Sequence, residues 1–291
     1  MKRTGLIGLG SIGSYFTSKL VGAGYPLAAF DIAPEPVQRA VEQGAGPAGT
    51  PGEVADASDV ILLALPGSHA VEEVMLGEGG LLPKLRPGQV VIDTGTSLPA
   101  SHLKLVPLVE KVGARMLDAP ITWRSAGLTI MVGGDEATYR ECLDVLSVVG
   151  AKVRYVGGPG QGQLCKLVNQ MVQAGTTSIV AESLVFAAKA GLDLEQVVET
   201  LDLEGGARAM LGRDFAGAGQ LRLHYKDLGY ALAAARDLGT LTPVTALVHE
   251  AFKLAAVTGD PSWIQPAVIT YWERLAGAEA RGREDADRGG Q

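Results

Sequence analysis

Lys166, Asn169, Gln170 and Gln173 fall at i, i+3, i+4 and i+7 in a stretch that is otherwise apolar nearly all round, with Leu164, Cys165, Leu167, Val168, Met171 and Val172 between them. Helical spacing puts the four polar side chains on one face, and Thr177 continues the stripe. A helix apolar on every side is buried, and a buried lysine is seldom tolerated without a partner or a task. The stripe therefore faces either a cavity or one solvated edge, and the pattern leaves both open. In a cavity the chemistry would be acid–base. An ammonium polarises a carbonyl, and a neutral amine accepts a hydroxyl proton.

A second cluster lies near the N-terminus. Gly8-Leu9-Gly10-Ser11-Ile12-Gly13 follows the apolar run Gly5-Leu6-Ile7 and opens a helix-like stretch from Ser14 to Val21. Asp31 closes a second apolar run about 20 residues further on. This is the dinucleotide-binding fingerprint in its strand–turn–helix–strand setting. Gly8 allows the tight turn, Gly10 lets a pyrophosphate approach the backbone, and Gly13 lets helix and strand pack closely. The phosphates then rest on the helix N-terminus. Asp31 would accept hydrogen bonds from ribose hydroxyls and repel a 2′-phosphate. The next residues, Ile32-Ala33-Pro34-Glu35, offer no arginine to receive one. NAD is therefore favoured over NADP.

The elements that position these residues can be read from the same pattern. From Lys2 to about Val156 short apolar strands alternate with helices, and Val60–Leu65 is apolar throughout, as in a sheet buried on both faces. Strand–helix alternation implies a doubly wound α/β sheet, whose ligands bind at the carboxyl ends of the strands. Leu65-Pro66-Gly67 and Asp93-Thr94-Gly95-Thr96 occupy such ends. After Gly157-Gly158-Pro159-Gly160 no strand is convincing, and a long helix leads into an all-α part. The expected organisation is an N-terminal Rossmann domain over 1–160, an all-α domain over 161–277 and a flexible tail over 278–291. The 291 residues suffice for two domains, and a net charge of −7 argues against nucleic acid or an anionic membrane as partner. No uninterrupted apolar run reaches the length of a membrane span. Two cysteines and four histidines show no metal-ligand spacing, so no metal site is expected and reduced, cytoplasmic thiols are.

Several stretches together resemble the 3-hydroxyacid dehydrogenase family, which includes 3-hydroxyisobutyrate dehydrogenase and tartronate semialdehyde reductase and is related to 6-phosphogluconate dehydrogenase. Gly160-Gln161-Gly162-Gln163-Leu164-Cys165-Lys166-Leu167-Val168-Asn169 looks like its G-x-G-x-x-x-K-x-x-N segment. The glycine fingerprint is similar to its N-terminal signature, with Ile12 where methionine is usual. Leu65-Pro66, Asp118-Ala119-Pro120 and Lys226-Asp227-Leu228 fit further family segments, so the resemblance covers roughly 3 to 275. It implies an NAD(P)-dependent oxidoreductase that passes hydride between nicotinamide and a small 3-hydroxy acid or its semialdehyde or keto form. It implies Lys166 as the catalytic lysine, Asn169 and Gln170 orienting substrate, Thr96 lining the nicotinamide site and Lys226 closing over cofactor and substrate. Burial beside a cationic nicotinamide would push Lys166 towards neutrality. Ser11, Ile12, Leu65 and Pro66 belong to the implied cofactor site. A homodimer or homotetramer paired through the helical part is implied as well.

Three departures from the family bear on the site. After Pro120 the family has Ser-Gly-Gly in a loop. Here the chain reads Ile121-Thr122-Trp123-Arg124-Ser125-Ala126-Gly127 and is about five residues shorter. Thr122 can replace the serine hydroxyl. Arg124 either binds an anionic group bidentately in place of the lost backbone N–H groups or turns outward into solvent, and Trp123 could narrow the pocket. Gln170 replaces the second of two asparagines, and Gly95 stands where serine is common. An imine reductase-like enzyme and a cofactor-binding scaffold without catalysis are the competing readings. Retention of Lys166 argues for an oxygen substrate.

Overall fold

The structure is a computed structural model and describes residues 1–217 and 219–282. It divides into two units, Met1–Lys166 and Leu167–Gln291. In the first, the elements run β1 (Thr4–Ile7), α1 (Ser11–Gly22), β2 (Leu27–Phe30), α2 (Pro34–Glu42), β3 (Gly46–Pro47), α3 (Pro51–Ala57), β4 (Val60–Leu63), α4 (Ser68–Leu76), β5 (Val90–Asp93), α5 (Pro99–Lys111), β6 (Arg115–Asp118), β7 (Ile121–Arg124), β8 (Gly127–Gly133), α6 (Glu136–Val149) and β9 (Lys152–Gly157).

The apolar runs become strands buried along their whole length, as in Thr4–Ile7, Val60–Leu63 and Val90–Asp93. Successive side chains point to opposite faces of a strand. Leu6, Leu62 and Ile92 therefore pack with Phe16 and Leu20 of α1 on one face. Ile7, Ile61, Leu63 and Val91 pack with Val71, Met75, Leu105 and Val109 on the other. Each such Leu or Ile contributes roughly 1.5–3 kcal/mol by leaving water. The strand order is β3-β2-β1-β4-β5-β6-β8-β7, with β9 beside β8. β1 through β6 are parallel. The order reverses at β1, where β2 leaves to one side and β4 to the other, so the loops after β1, β4, β5 and β6 share one edge of the sheet.

The segment expected to be a loop after Pro120 is instead a hairpin. Ile121–Arg124 pairs antiparallel with Gly127–Ile130, Arg124 opposite Gly127, and Ser125-Ala126 make the turn. Thr, Trp and Ile favour pleated backbone, and a two-residue connection leaves no slack for a loop.

α7 (Gln161–Lys189) runs 29 residues without a break, about 44 Å at the usual rise. By length and composition it passes for a membrane span although no uninterrupted apolar run does, and nearly half of its most apolar window is buried inside the fold. In the second unit α8 (Leu194–Thr200), α9 (Ala207–Leu211), α10 (Leu221–Asp237), α11 (Pro243–Thr258) and α12 (Ile269–Ala276) pack around Leu184, Leu228, Phe252 and Ile269. Residues 278–282, expected to begin a loose tail, are tied down. Ala280 is fully buried and its N–H reaches Glu273, while the Gly282 N–H reaches the Leu211 carbonyl. Residues 283–291 of that expected tail lie outside the described residues.

Candidate active site

Two of the three fingerprint glycines are demanded by the protein's own packing. Gly8 has φ +90°, and a Cβ there would overlap the Ala64 carbonyl; a Cβ on Gly13 would overlap the Gly8 carbonyl. Gly10 differs, because a Cβ there would meet nothing within 4 Å. Its backbone, φ −63° and ψ −161°, is open to any residue. The start of α1 is therefore open on this side. Gly10 is the N-cap of α1 and supplies no side-chain cap, and the first turn, which holds Ser11 and Ile12, has no acidic residue. Uncapped N–H groups and bare space suit a pyrophosphate. Asp31, just beyond β2, accepts the Leu9 N–H at 2.6 Å on one oxygen and the Ala33 N–H at 2.9 Å on the other. The carboxylate is thereby fixed beside the glycine turn. The chain's residues thus fit a dinucleotide.

The next strand ends continue this edge. Leu65 and Pro66 follow β4, and Thr94 to Ser97 follow β5. Asp93 is fully buried and accepts the Gly95 N–H at 3.0 Å and the Ser97 hydroxyl at 2.8 Å. This folds the segment carrying Thr96 into a tight turn. A Cβ at Gly95 would stand 2.5 Å from the Leu65 carbonyl oxygen, which accounts for glycine at a position where the family prefers serine. Asp118, at the end of β6, is also fully buried. Its two oxygens accept the Gly160 N–H at 2.9 Å and the Gln163 N–H at 2.7 Å, capping α7 from a different strand. His102 Nε2 lies 3.4 Å from Asp118 Oδ1. Burial pushes the His102 imidazole below its ordinary value, more than Asp118 draws it up.

Lys166 lies on α7 and is 92 % shielded from solvent, with a relative exposure of 8 %. On the hairpin, Thr122 is buried while Trp123 and Arg124 are exposed. Trp123 stands edge-on to Tyr15 of α1, ring centroids 5.2 Å apart. It packs towards the first helix of the fold, a contact that one-dimensional spacing does not reveal.

In the second unit the amide row forms a chain. Asn169 Nδ2 donates to Gln170 Oε1 at 3.0 Å and to Gln173 Oε1 at 3.2 Å. Gln170 Nε2 donates to Asp227 Oδ2 at 2.6 Å. Lys226 Nζ lies 3.1 Å from Asp227 Oδ1 and 4.8 Å over the Tyr230 ring. Gln170 and Lys226 are thus brought together by Asp227, with Asn169 joined through Gln170, and in the sequence Asp227 stands out only as part of a motif. Gln170 has the extra methylene that reaches it. His224 is buried against Phe252, its Nε2 2.6 Å from the Gln265 amide. His102 and Gln163 carried no signal in the sequence, since Asp118 stands on a different element from His102 and the Gln163 side chain meets Ser97, Gly95 and Asp93 across 66 to 70 residues. Among the described residues no group of three His, Cys, Asp or Glu is placed to hold a metal ion.

Comparison with known proteins agrees with this architecture. Residues 3–157 match the family model of the NAD binding domain of 6-phosphogluconate dehydrogenase, and residues 160–272 that of NADP-dependent 3-hydroxyisobutyrate dehydrogenase. The chain is 33 % identical to 2-(hydroxymethyl)glutarate dehydrogenase of Eubacterium barkeri, over 96 % of this chain and 98 % of that protein. It is 33 % identical to 2-hydroxy-3-oxopropionate reductase of Escherichia coli, over 94 % and 98 %. Among solved structures, 3-hydroxyisobutyrate dehydrogenase of Mycobacterium tuberculosis with L-serine superposes with a TM-score of 0.84 at 28 % identity, over 93 % of this chain and 98 % of that one. The chain belongs to the 3-hydroxyacid dehydrogenase family. It is an NAD(P)-dependent oxidoreductase of small hydroxy-acid substrates.

Proposed function

We propose that the chain moves hydride between nicotinamide and a small 3-hydroxy acid or its semialdehyde or keto form, with Lys166 as proton donor and acceptor. The observation that carries this reading is Lys166 itself, a lysine nearly withdrawn from water on a helix whose first turn is fixed to two strand ends. Holding an amine out of water is costly without a partner or a task. In reduction its N–H would hydrogen-bond the carbonyl oxygen and pass it a proton. In oxidation the neutral amine would accept the hydroxyl proton. The bound nicotinamide supplies or receives the hydride. Asn169 and Gln170, held in one chain of amides, would orient the substrate, and Lys226 would serve the cofactor side. Thr122 and Arg124 would meet an anionic group, and Trp123 would shape that side of the pocket.

NAD is the favoured cofactor because Asp31, held beside the glycine turn, follows the fingerprint at the spacing of a ribose-binding carboxylate. An acidic group there disfavours a 2′-phosphate. A homodimer or homotetramer is proposed on a different observation. Val168, Val172, Ile179 and Phe186 line α7 at helical spacing and stay exposed, Phe186 by 74 %. Such a stripe fits a second copy of the chain better than water. Nicotinamide absorbance over a panel of 3-hydroxy acids, their aldehydes and cyclic imines tests the reading. Turnover of a 3-hydroxy acid or semialdehyde is expected, and turnover of imines alone would overturn it.

A further inference from the structure

Gln163 precedes Lys166 by three residues on α7, so the two are neighbours on the helix surface. Its side chain is wholly buried and is bonded at both ends to one short segment. Oε1 accepts the Ser97 N–H at 2.9 Å, and Nε2 donates to the Gly95 carbonyl at 3.0 Å. Nε2 also stands 3.4 Å from Asp93 Oδ2, the oxygen that takes the Ser97 hydroxyl. The two main-chain partners flank Thr96 on either side. Meanwhile the Gln163 N–H donates to Asp118 Oδ2 at 2.7 Å. One residue therefore joins the start of α7 to the ends of β5 and β6. The fit leaves no slack. A Cβ at Gly162 would stand 2.6 Å from the carbonyl oxygens of Asp118 and Met131.

Capping a helix does not require this. Asp118 already satisfies the Gly160 and Gln163 N–H groups, and the Gln163 amide adds nothing to the helix itself. A buried amide directed at main chain on both sides of one residue serves the placement of that residue.

We propose that Gln163 is a positioning residue, which holds the Thr96 segment and the Lys166 turn in one fixed register. The proposal rests on the reading of Lys166 and Thr96 given above. If it holds, loss of the amide lets the amine drift from the reacting oxygen. A misplacement of about 1 Å costs up to about 100-fold in turnover.

The test is a double-mutant cycle with Gln163→Met, which keeps the shape and loses both bonds, and Lys166→Met. Turnover is measured on the fastest substrate of the panel, and NADH affinity by fluorescence titration. Gln163→Met alone is expected to lower kcat by about tenfold to 100-fold while KM changes by less than about threefold. NADH should bind several-fold more weakly, because the Thr96 segment is released. In the Lys166→Met background the same change should alter the residual rate by less than about twofold, since Gln163 acts through Lys166. Equal losses in both backgrounds, or unchanged kcat and NADH affinity in Gln163→Met, would overturn the proposal. If Lys166→Met keeps wild-type turnover, it is the reading of Lys166 that fails, whatever Gln163 does. Should Gln163→Met not fold, Gln163→Glu takes its place in the cycle; it keeps the acceptor for Ser97 and loses the donor to Gly95.

Discussion

Lys166 and Arg124 show how far single residues can be understood from type and position. A lysine in an apolar helix announces itself, because burying an amine is expensive and the sequence shows the apolar surroundings directly. Arg124 gives no such signal. It sits on an exposed strand end, and only its neighbours in space decide its task. If Arg124 meets a substrate carboxylate, Arg124→Ala should raise KM for acid substrates by about tenfold to 100-fold, the worth of a charge-assisted pair, and leave NADH affinity unchanged. Steady-state kinetics on a carboxylate and its amide analogue would check this, and equal effects on both substrates would sink the idea. Asp93, Asp118 and Gln163 were not legible one by one. Asp118 and Gln163 are ordinary polar residues whose partners, Gly160 and Ser97, are distant in sequence, and Asp93 shows only a local turn until Gln163 reaches it from α7.

At the scale of elements, periodicity found the parallel strands and the long helix, since continuous apolar runs leave few other places to go. It did not find β7. Ser125-Ala126 lacks the Asn-Gly or Asp-Gly signature of a two-residue turn, and the family resemblance pointed to a loop. α3 was missed too, being seven residues long and made mostly of small and acidic residues. The glycine turn gives a sharp contrast. Gly10→Ala should leave stability within about 0.5 kcal/mol and weaken NADH binding by about tenfold or more, because its Cβ would occupy the open space. Gly13→Ala should cost about 1–3 kcal/mol of stability through overlap with the Gly8 carbonyl. Thermal melts and fluorescence titration separate the two. α5 supplies a pH dependence. His102 stays neutral in the fold, since burial holds its imidazole below the ordinary 6.5. The unfolded chain takes up a proton near that pH and the folded chain does not. Stability is therefore lost as pH falls below about 6.5, by up to about 1.4 kcal/mol per pH unit. Melting from pH 7 to 5 should show the slope, and His102→Asn should flatten it; an unchanged slope would contradict this account.

For the molecule as a whole, the division into an α/β part and an all-α part was legible because hydrophobic period changes from strand to helix after Gly160. What pins residues 278–282 was not, since the Leu211 carbonyl that takes the Gly282 N–H comes from α9, far earlier in the chain, and a polar Glu273 gives no sign that it caps Ala280. The proposed assembly rests on the exposed apolar stripe along α7. Light scattering should give the mass of a dimer or tetramer, and Phe186→Glu, a charge placed in the stripe, should shift it towards monomer; a monomeric wild type would refute this assignment. The claim on which the rest depends is that Lys166 carries the proton. Its most direct measurement is kcat for Lys166→Ala on the best hydroxy-acid substrate, alongside NADH affinity and melting temperature. The expected result is a loss on the order of a thousandfold in kcat, with NADH binding and melting close to wild type. Wild-type turnover in Lys166→Ala would contradict the account at its centre.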